Sequence, residues 1–160
     1  MNALEGLALV RLHAVMQHGD RASVDDWTEV LAAFPLFSGI SKRRLRQLVR
    51  SASFAEVARG ETVISNGHRS DSLHVILGGA ARARSGRATR ELGVGDYFGE
   101  LALFDGAPRS TSVVATQDLH VIRLPAQAVA RLARQHPALT LTMLRNLSRQ
   151  IGRPEAQAAR

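Results

Sequence analysis

The chain has 160 residues, of which 45% are hydrophobic, a composition that suits one globular domain with a buried core and argues against a second domain of full size. Because it contains no cysteine, a disulfide framework, a thiol nucleophile and a thiolate metal site are all excluded. Its net charge of +7 would favour polyanionic partners only if the basic residues were gathered on one face.

The first part of the chain is predicted to be helical. Apolar residues recur there at helical spacing, at Leu4, Ala8, Leu12 and Val15. This segment lacks the basic start, unbroken apolar run and cleavage site of a signal peptide. A second helix is expected in "SVDDWTEVLAAF", where Ser23 and Asp26 form a capping pair and Pro35 follows the last residue. The patterns together predict a helical segment over residues 1–34.

The stretch "SKRRLRQLVR" is predicted to form a short basic helix. Its apolar residues Leu45, Leu48 and Val49 mark the buried side. Five cations mostly surround the other side, namely Lys42, Arg43, Arg44, Arg46 and Arg50. One such cluster, without aromatic residues to stack on bases, is more typical of a solvated helix face than of a nucleic-acid site. Nucleic-acid binding is therefore a minor alternative.

From Phe54 to Leu124 the pattern changes to short strands. Segments rich in β-branched residues, such as "ETVIS", "SLHVIL" and "HVIRL", alternate with glycines that mark turns. This spacing predicts a compact antiparallel β-roll or jelly-roll barrel. After Pro125 helical periodicity returns, and Leu144, Leu147 and Ile151 are expected to share one stripe. The predicted fold class is mainly β, with helices before and after the barrel.

One stretch of the barrel carries residues suited to a ligand site. "FGELALFDGAPRSTSVV" holds Glu100 and Arg109 nine positions apart, with glycine and small residues between them. A helix N-terminus beside glycine binds phosphate well, and arginine offers phosphate a bidentate partner. A carboxylate beside an anion is repulsive unless it faces hydroxyl groups. The pattern therefore indicates a ligand that carries both an anion and hydroxyl groups.

This stretch, extended to "FGELALFDGAPRSTSVVA", resembles the phosphate-binding cassette of the cyclic nucleotide-binding domain family. Three other blocks resemble the same family in the same order, "FPLFSGISKRRLRQLV", "RGETVISNGHRSDSLHVILGGAARA" and "ELGVGDYFGE". The resemblance covers residues 27–151. It implies a β-roll with its first helix and the cassette (35–136) and a C-terminal lid helix (137–151). The sequence pattern adds the N-terminal helical segment (1–34) and a flexible tail (152–160).

The resemblance also implies a set of ligand-binding residues, which are Gly99, Glu100, Leu101, Ala102, Arg109, Ser110, Thr111 and Leu92. Backbone groups of the glycine and of the two residues after Glu100 are expected to meet the cyclic phosphate or the ribose. Glu100 matches the ligand of the ribose 2′-hydroxyl, whereas Arg109 and Ser110 match the phosphate ligands. The family packs an apolar side chain on the base where Leu92 stands. Thr111 replaces a frequent alanine, which leaves the choice between cAMP and cGMP open.

Other kinds of site fit the sequence less well. Six histidines raise the alternative of a metal-binding barrel, but they are spread along the chain without a close pair on a strand, as His13, His18, His68, His74, His120 and His136. Hydrolysis of the ligand would require a base or a metal near the phosphate, and the one carboxylate of the cassette is already matched to the ribose. We therefore expect no metal, no catalytic residue and no enzyme activity.

The expected function is regulatory binding of cAMP or cGMP, without a further cofactor, coupled to movement of the C-terminal helix. The motion would signal to a protein partner or to a second copy of the chain. Nine residues follow Ile151, so no DNA-binding domain is expected here, and no apolar stretch is long enough to span a membrane, which indicates a cytoplasmic protein. Two alternatives remain, a scaffold of the same fold that has lost its ligand and an excised regulatory domain of a larger protein such as an ion channel.

Overall fold

The computed structural model describes residues 3–18, 21–64, 71–100 and 111–146. The helices are α1 (Ala3–His18), α2 (Val24–Ala33), α3 (Lys42–Arg50) and α4 (Ala126–Gln135), followed by α5 at residues 137–146. The strands are β1 (Ser53–Val57), β2 (Thr62–Ile64), β3 (Ser72–Gly78), β4 (Ala81–Ser85), β5 (Ala88–Leu92), β6 (Tyr97–Phe98), β7 (Ser112–Ala115) and β8 (Leu119–Pro125). Among these elements, none of the helices is long and apolar enough to cross a membrane. The predicted order of helices, barrel and helices is confirmed.

The strands form two four-stranded sheets. The first sheet has the order β1-β8-β3-β6 and the second has the order β2-β7-β4-β5. Every pair of neighbouring strands is antiparallel. The predicted antiparallel β-roll is therefore confirmed.

Two hydrophobic clusters hold the fold together. The inter-sheet cluster lies between the two sheets and includes Ile76 and Val121 from the first sheet and Ala83 and Val113 from the second. The helix-side cluster packs the helices on the other face of the first sheet. Strand β3 serves both clusters because its side chains alternate between the two faces of the sheet, so Ile76 faces one cluster and Val75 the other.

Local sequence signals set the start of α2. The backbone N–H of Ser23 donates to Asp26 Oδ2 at 2.8 Å, and the backbone N–H of Asp26 donates to Ser23 Oγ at 3.1 Å. The Ser23 hydroxyl also donates to Asp26 Oδ2 at 2.8 Å, and the two bonds donated to this carboxyl, the backbone bond first, lower the pKa of Asp26. The predicted capping pair is confirmed, and so are the buried positions Leu12 and Val15 on α1.

Only Leu144 of the stripe predicted for the last helix lies in the described residues, and it is not on the buried face. Leu144 is 44% exposed, whereas Leu139 and Met143 are 2% and 1% exposed and belong to the helix-side cluster. The two buried residues are four positions apart, so they share one helix face, and Leu144 lies about 100° away from Met143. Apolar residues occur on more than one face of this helix, so their spacing alone could not select the buried face. Residues 147–151 lie outside the described ranges.

Candidate functional site

The predicted cassette begins in one sheet and ends in the other. Strand β6 belongs to the first sheet, where Phe98 lies opposite His74 of β3. Residues 101–110 lie outside the described ranges. Strand β7 follows in the second sheet, where Ser112 lies opposite Arg84 of β4. The cassette thus connects the two walls of the barrel.

A tight turn fixes the approach to the cassette. Asp96 accepts a hydrogen bond from the backbone N–H of Gly93 through Oδ2 at 2.8 Å. Strand β3 holds the same turn from the side, because the N–H of Gly95 donates to the carbonyl of Ile76 and the N–H of Ile76 donates to the carbonyl of Asp96, both at 2.9 Å. Gly95 has a φ of +87°, a conformation that glycine adopts at little cost. The start of the cassette is therefore rigidly placed on the sheet.

Residues 97–100 follow this turn, and the first two place their side chains in the two hydrophobic clusters. Tyr97 packs in the helix-side cluster and Phe98 packs in the inter-sheet cluster, where its ring stacks on the His74 ring with centroids 4.8 Å apart. Gly99 has a φ of +97°, which turns the chain where most other residues would be strained. Glu100 follows and is only 6% exposed.

Glu100 is a largely buried acidic residue at the start of the cassette. In the described part of the chain, no other group forms a hydrogen bond or an ion pair with its side chain. Burying an ionised carboxylate is costly unless hydrogen bonds or opposite charges compensate it. Hydroxyl groups of a ligand could supply those hydrogen bonds. The role predicted for Glu100 therefore suits its surroundings.

The other predicted site residues fall into two groups. Leu92 is 2% exposed and lies in the inter-sheet cluster with Phe98, and Thr111 is half-buried just before β7. Gly99 and Glu100 lie at the end of β6, as described above. The remaining four predictions cannot be compared with the structure because they lie outside the described residues, namely Leu101, Ala102, Arg109 and Ser110.

Sequence reasoning overlooked Arg90. This half-buried residue stands two positions before Leu92 on β5, on the same face of the strand, and opposite the buried Ala83 of β4. Counting back from Leu92 with the strand period of two would have found it. Arg90 therefore places a guanidinium group on the same face of β5 as Leu92, the face that contributes to the inter-sheet cluster.

A second overlooked feature is the contact between the C-terminal helix and β6. Asn146 Nδ2 on α5 donates a hydrogen bond to the Tyr97 hydroxyl at 2.8 Å. The pKa of the Tyr97 hydroxyl is raised, chiefly by burial. The charge of Glu100 also raises it, whereas the bond from Asn146 and the charge of Arg90 lower it. The Tyr97 hydroxyl is therefore close enough to Glu100, the residue predicted to bind the ribose, for the charge of Glu100 to affect it. The hydrogen bond between Asn146 and Tyr97 thus connects α5 with the start of the cassette.

Metal binding finds no support in the described ranges. No group of three or more histidine, aspartate or glutamate side chains there could hold an ion. His74, the most buried of the described histidines, lies between the sheets against Phe98.

Comparison with known proteins decides the family. The family model described as the cyclic nucleotide-binding domain matches residues 54–136, just over half of the chain. The chain belongs to the cyclic nucleotide-binding domain family. The resemblance found in the cassette is thus confirmed for the domain as a whole.

Two relatives and one solved structure illustrate how this cyclic nucleotide-binding domain is related to other proteins. It is 28% identical over 131 residues to the CRP-like cAMP-activated global transcriptional regulator of Mycobacterium tuberculosis, and the match covers 78% of this chain and 58% of that protein. It is 36% identical over 116 residues to the cAMP-dependent protein kinase regulatory subunit of Mycosarcoma maydis, covering 66% of this chain and 22% of that protein. The solved structure of cAMP-bound PfPKA-R matches with a TM-score of 0.73 at 22% identity, covering 81% of this chain and 45% of that one. At this identity the solved structure supports the shared fold. The chain spans 58% or less of the length of both relatives.

Proposed function

We propose that this domain senses a cyclic mononucleotide, cAMP or cGMP, and passes the signal to a protein partner in the cytoplasm through its C-terminal helix. The observation that carries the proposal is the buried Glu100 at the start of the cassette, which has no hydrogen-bond or ion-pair partner among the described residues. A ribose 2′-hydroxyl is a donor that such a carboxylate needs. Both relatives named above are cAMP-dependent or cAMP-activated proteins, which also supports this ligand class.

The proposed site residues would bind different parts of the nucleotide. Glu100 would accept from the ribose, Arg109 and Ser110 would bind the cyclic phosphate together with backbone groups of the cassette, and Leu92 would pack on the base. A guanidinium can bind two phosphate oxygens in parallel, which fixes the orientation of the nucleotide. In this arrangement the carboxylate is used for binding, so the proposed role is regulatory and not catalytic.

The route to the C-terminal helix runs through Tyr97. This side chain lies three positions before Glu100, packs in the cluster that buries α5, and accepts the hydrogen bond from Asn146. A ligand can shift the position of α5 only if it has different affinities for the two arrangements of the cassette. Because Tyr97 contacts both the first sheet and α5, a change at the cassette would alter how α5 packs.

The role of Glu100 is tested by changing both the protein and the ligand. Glu100→Gln keeps the size of the side chain and removes its charge, so we expect cAMP binding to weaken by about 1.5–3 kcal/mol, the range for a hydrogen bond to a charged group. The parent chain should lose a similar amount with 2′-deoxy-cAMP, and the variant should lose little more. Calorimetric titration of the four combinations measures this coupling.

Thermal unfolding without nucleotide provides the control for Glu100. The variant should be about as stable as the parent chain, because the Glu100 carboxylate has no hydrogen bond or ion pair with the described residues that the substitution could remove. Glu100 would instead be a structural residue if the variant unfolded more readily and both proteins discriminated equally between cAMP and 2′-deoxy-cAMP.

The link between Tyr97 and α5 makes a second prediction. Tyr97→Phe removes only the hydroxyl that accepts from Asn146, and we expect a loss of about 0.5–1.5 kcal/mol in the free energy of unfolding. Hydrogen exchange should show that nucleotide binding changes the protection of amides 137–146 in the parent chain, and that this change is smaller in Tyr97→Phe. Leu139 and Met143 are core residues, so this point variant disturbs the fold less than deletion of the helix.

Asn146→Ala should reproduce the effect of Tyr97→Phe, and the double variant should add nothing further. Gln135→Ala, at an exposed position at the end of α4, is the matched control and should behave like the parent chain. Unchanged protection of 137–146 on nucleotide binding in the parent chain would rule out signalling through α5.

A further inference from the structure

The charges of this chain are strongly segregated along the sequence. Residues 30–55 and 119–154 together hold 11 of the 21 basic residues and none of the 14 acidic residues. The rest of the chain has ten basic and fourteen acidic residues and is net negative. The net positive charge of the chain therefore comes entirely from the two segments, which contain α3, α4 and α5.

The fold brings these two segments together. Helices α3 and α4 pack against each other in the helical layer. An Arg44 guanidinium nitrogen on α3 donates to Nε2 of His136 at 2.7 Å, where α4 ends. Both of these side chains are half-buried, and neither introduces a negative charge. Helices α3 and α4 of the two acid-free segments are therefore neighbours in the fold.

Acidic residues of α2 neutralise only one edge of this surface. Glu29 forms an ion pair with Lys42 at 2.6 Å, and Asp25 forms one with Arg46 at 2.7 Å. Lys42 and Arg46 lie on the side of α3 that faces α2, whereas Arg44 lies on the side that faces α4. Within the described ranges, the ion pairs formed by α3 and α4 are therefore confined to the α2 edge.

The solvent-facing sides of α3 and α4 carry the remaining cations. Arg43 and Arg50 are exposed on α3, opposite its buried leucines, and Arg131 and Arg134 are exposed on α4, opposite Val129 and Leu132. None of the four has an ion-pair partner in the described part of the chain. These four arginines define what we name the α3–α4 surface.

We propose that the α3–α4 surface binds an acidic segment of a partner protein. A cluster of uncompensated arginines raises the local concentration of an anionic partner and steers its approach. Arginine is also the cation best suited to carboxylates, because its planar guanidinium donates two parallel hydrogen bonds. Exposed glutamines at positions 47 and 127 add amide donors and acceptors to the same helices. The inference does not depend on nucleotide binding.

The observations favour a protein segment over a nucleic acid. Neither helix, nor α5, contains an aromatic residue on which unpaired bases could stack. The two helices pack against each other, whereas reading of duplex DNA usually requires one helix to enter the major groove. At nine and ten residues, each helix spans only about 15 Å, a length comparable with a short peptide segment.

The test uses the full chain and a fluorescently labelled oligo-glutamate peptide at low ionic strength. A fourfold variant replaces arginines of the α3–α4 surface, Arg43→Gln, Arg50→Gln, Arg131→Gln and Arg134→Gln. A matched variant of equal net charge replaces exposed arginines elsewhere, Arg21→Gln, Arg59→Gln, Arg84→Gln and Arg87→Gln. We expect the first to weaken peptide binding by about tenfold or more and the second by about twofold or less.

Three outcomes would overturn the proposal. They are an absence of peptide binding by the parent chain, equal losses in the two variants, and tighter binding of duplex DNA or phosphatidylserine vesicles than of the peptide. If the fourfold variant failed to fold by circular dichroism, the pairs Arg43→Gln/Arg50→Gln and Arg131→Gln/Arg134→Gln would be compared with Arg84→Gln/Arg87→Gln. The first two pairs should each weaken peptide binding more than the third.

Discussion

An Arg109→Ala chain is expected to bind cAMP about 2–5 kcal/mol more weakly than the parent chain, the range for truncating one partner of a desolvated charge pair. This loss corresponds to an increase in Kd of about 30-fold to several thousand-fold. The reason is that the guanidinium matches the family's ligand of the cyclic phosphate, and its removal would leave the phosphate charge without its bidentate partner. Titration calorimetry of both proteins with cAMP measures the difference.

Arg59→Ala is a suitable control for Arg109→Ala. Arg59 is exposed in the turn between β1 and β2, where its backbone N–H donates to Asp118 at 3.0 Å, an interaction that the substitution retains. The control removes the same charge and should leave cAMP affinity unchanged, and both variants should fold. If Arg109→Ala bound cAMP as tightly as the parent chain, Arg109 would not belong to the binding site.

Gly79→Ala is expected to lower the free energy of unfolding by about 2–5 kcal/mol. Gly79 has a φ of +81°, where a side chain costs about 1–2 kcal/mol, and an added Cβ would overlap the backbone carbonyl of Asp118 in the neighbouring turn. Relieving that overlap requires a shift of backbone, and overpacking of this kind costs about 1–3 kcal/mol. Urea unfolding followed by circular dichroism measures the loss.

Gly39→Ala separates the two contributions. Gly39 also has a φ of +81°, but no atom lies within 4 Å of an added Cβ. This variant should therefore lose only the conformational part, about 1–2 kcal/mol. Equal losses at both glycines would contradict a steric cost from the overlap between the added Cβ and the Asp118 carbonyl.

Features that depend on short stretches of sequence were predicted well. The capping pair Ser23 and Asp26 involves residues three positions apart, and the strands follow from alternating side chains and glycine turns. The family followed from an ordered series of blocks, and its match over residues 54–136 is confirmed. Local patterns succeed here because the interactions that produce them are themselves local.

Features that join distant parts of the chain could not be predicted. The bond between Asn146 and Tyr97 joins residues 49 positions apart, and the contact between Arg44 and His136 joins residues 92 positions apart. Neither pair has a spacing that a helix or strand period would reveal. Leu144 was wrongly expected on the buried face of α5 for a related reason, since packing of Leu139 and Met143 in the helix-side cluster selects that face.

The candidate site was predictable as far as residue types determine it. The resemblance of the cassette predicts Glu100 as a ligand of the ribose, and the fold adds that Glu100 is buried and has no hydrogen-bond or ion-pair partner among the described residues. Arg90 was overlooked because the motif directed attention to the residues after Leu92, although strand alternation places it on the same face.

The measurement that tests the central proposal most directly is calorimetric titration of the purified full chain with cAMP, cGMP and a cyclic dinucleotide. We expect saturable binding of one cyclic mononucleotide per chain, with unaltered nucleotide recovered afterwards. If neither cAMP nor cGMP produced a heat of binding, the result would contradict the proposed sensor function. It would favour a scaffold that keeps the fold without the ligand.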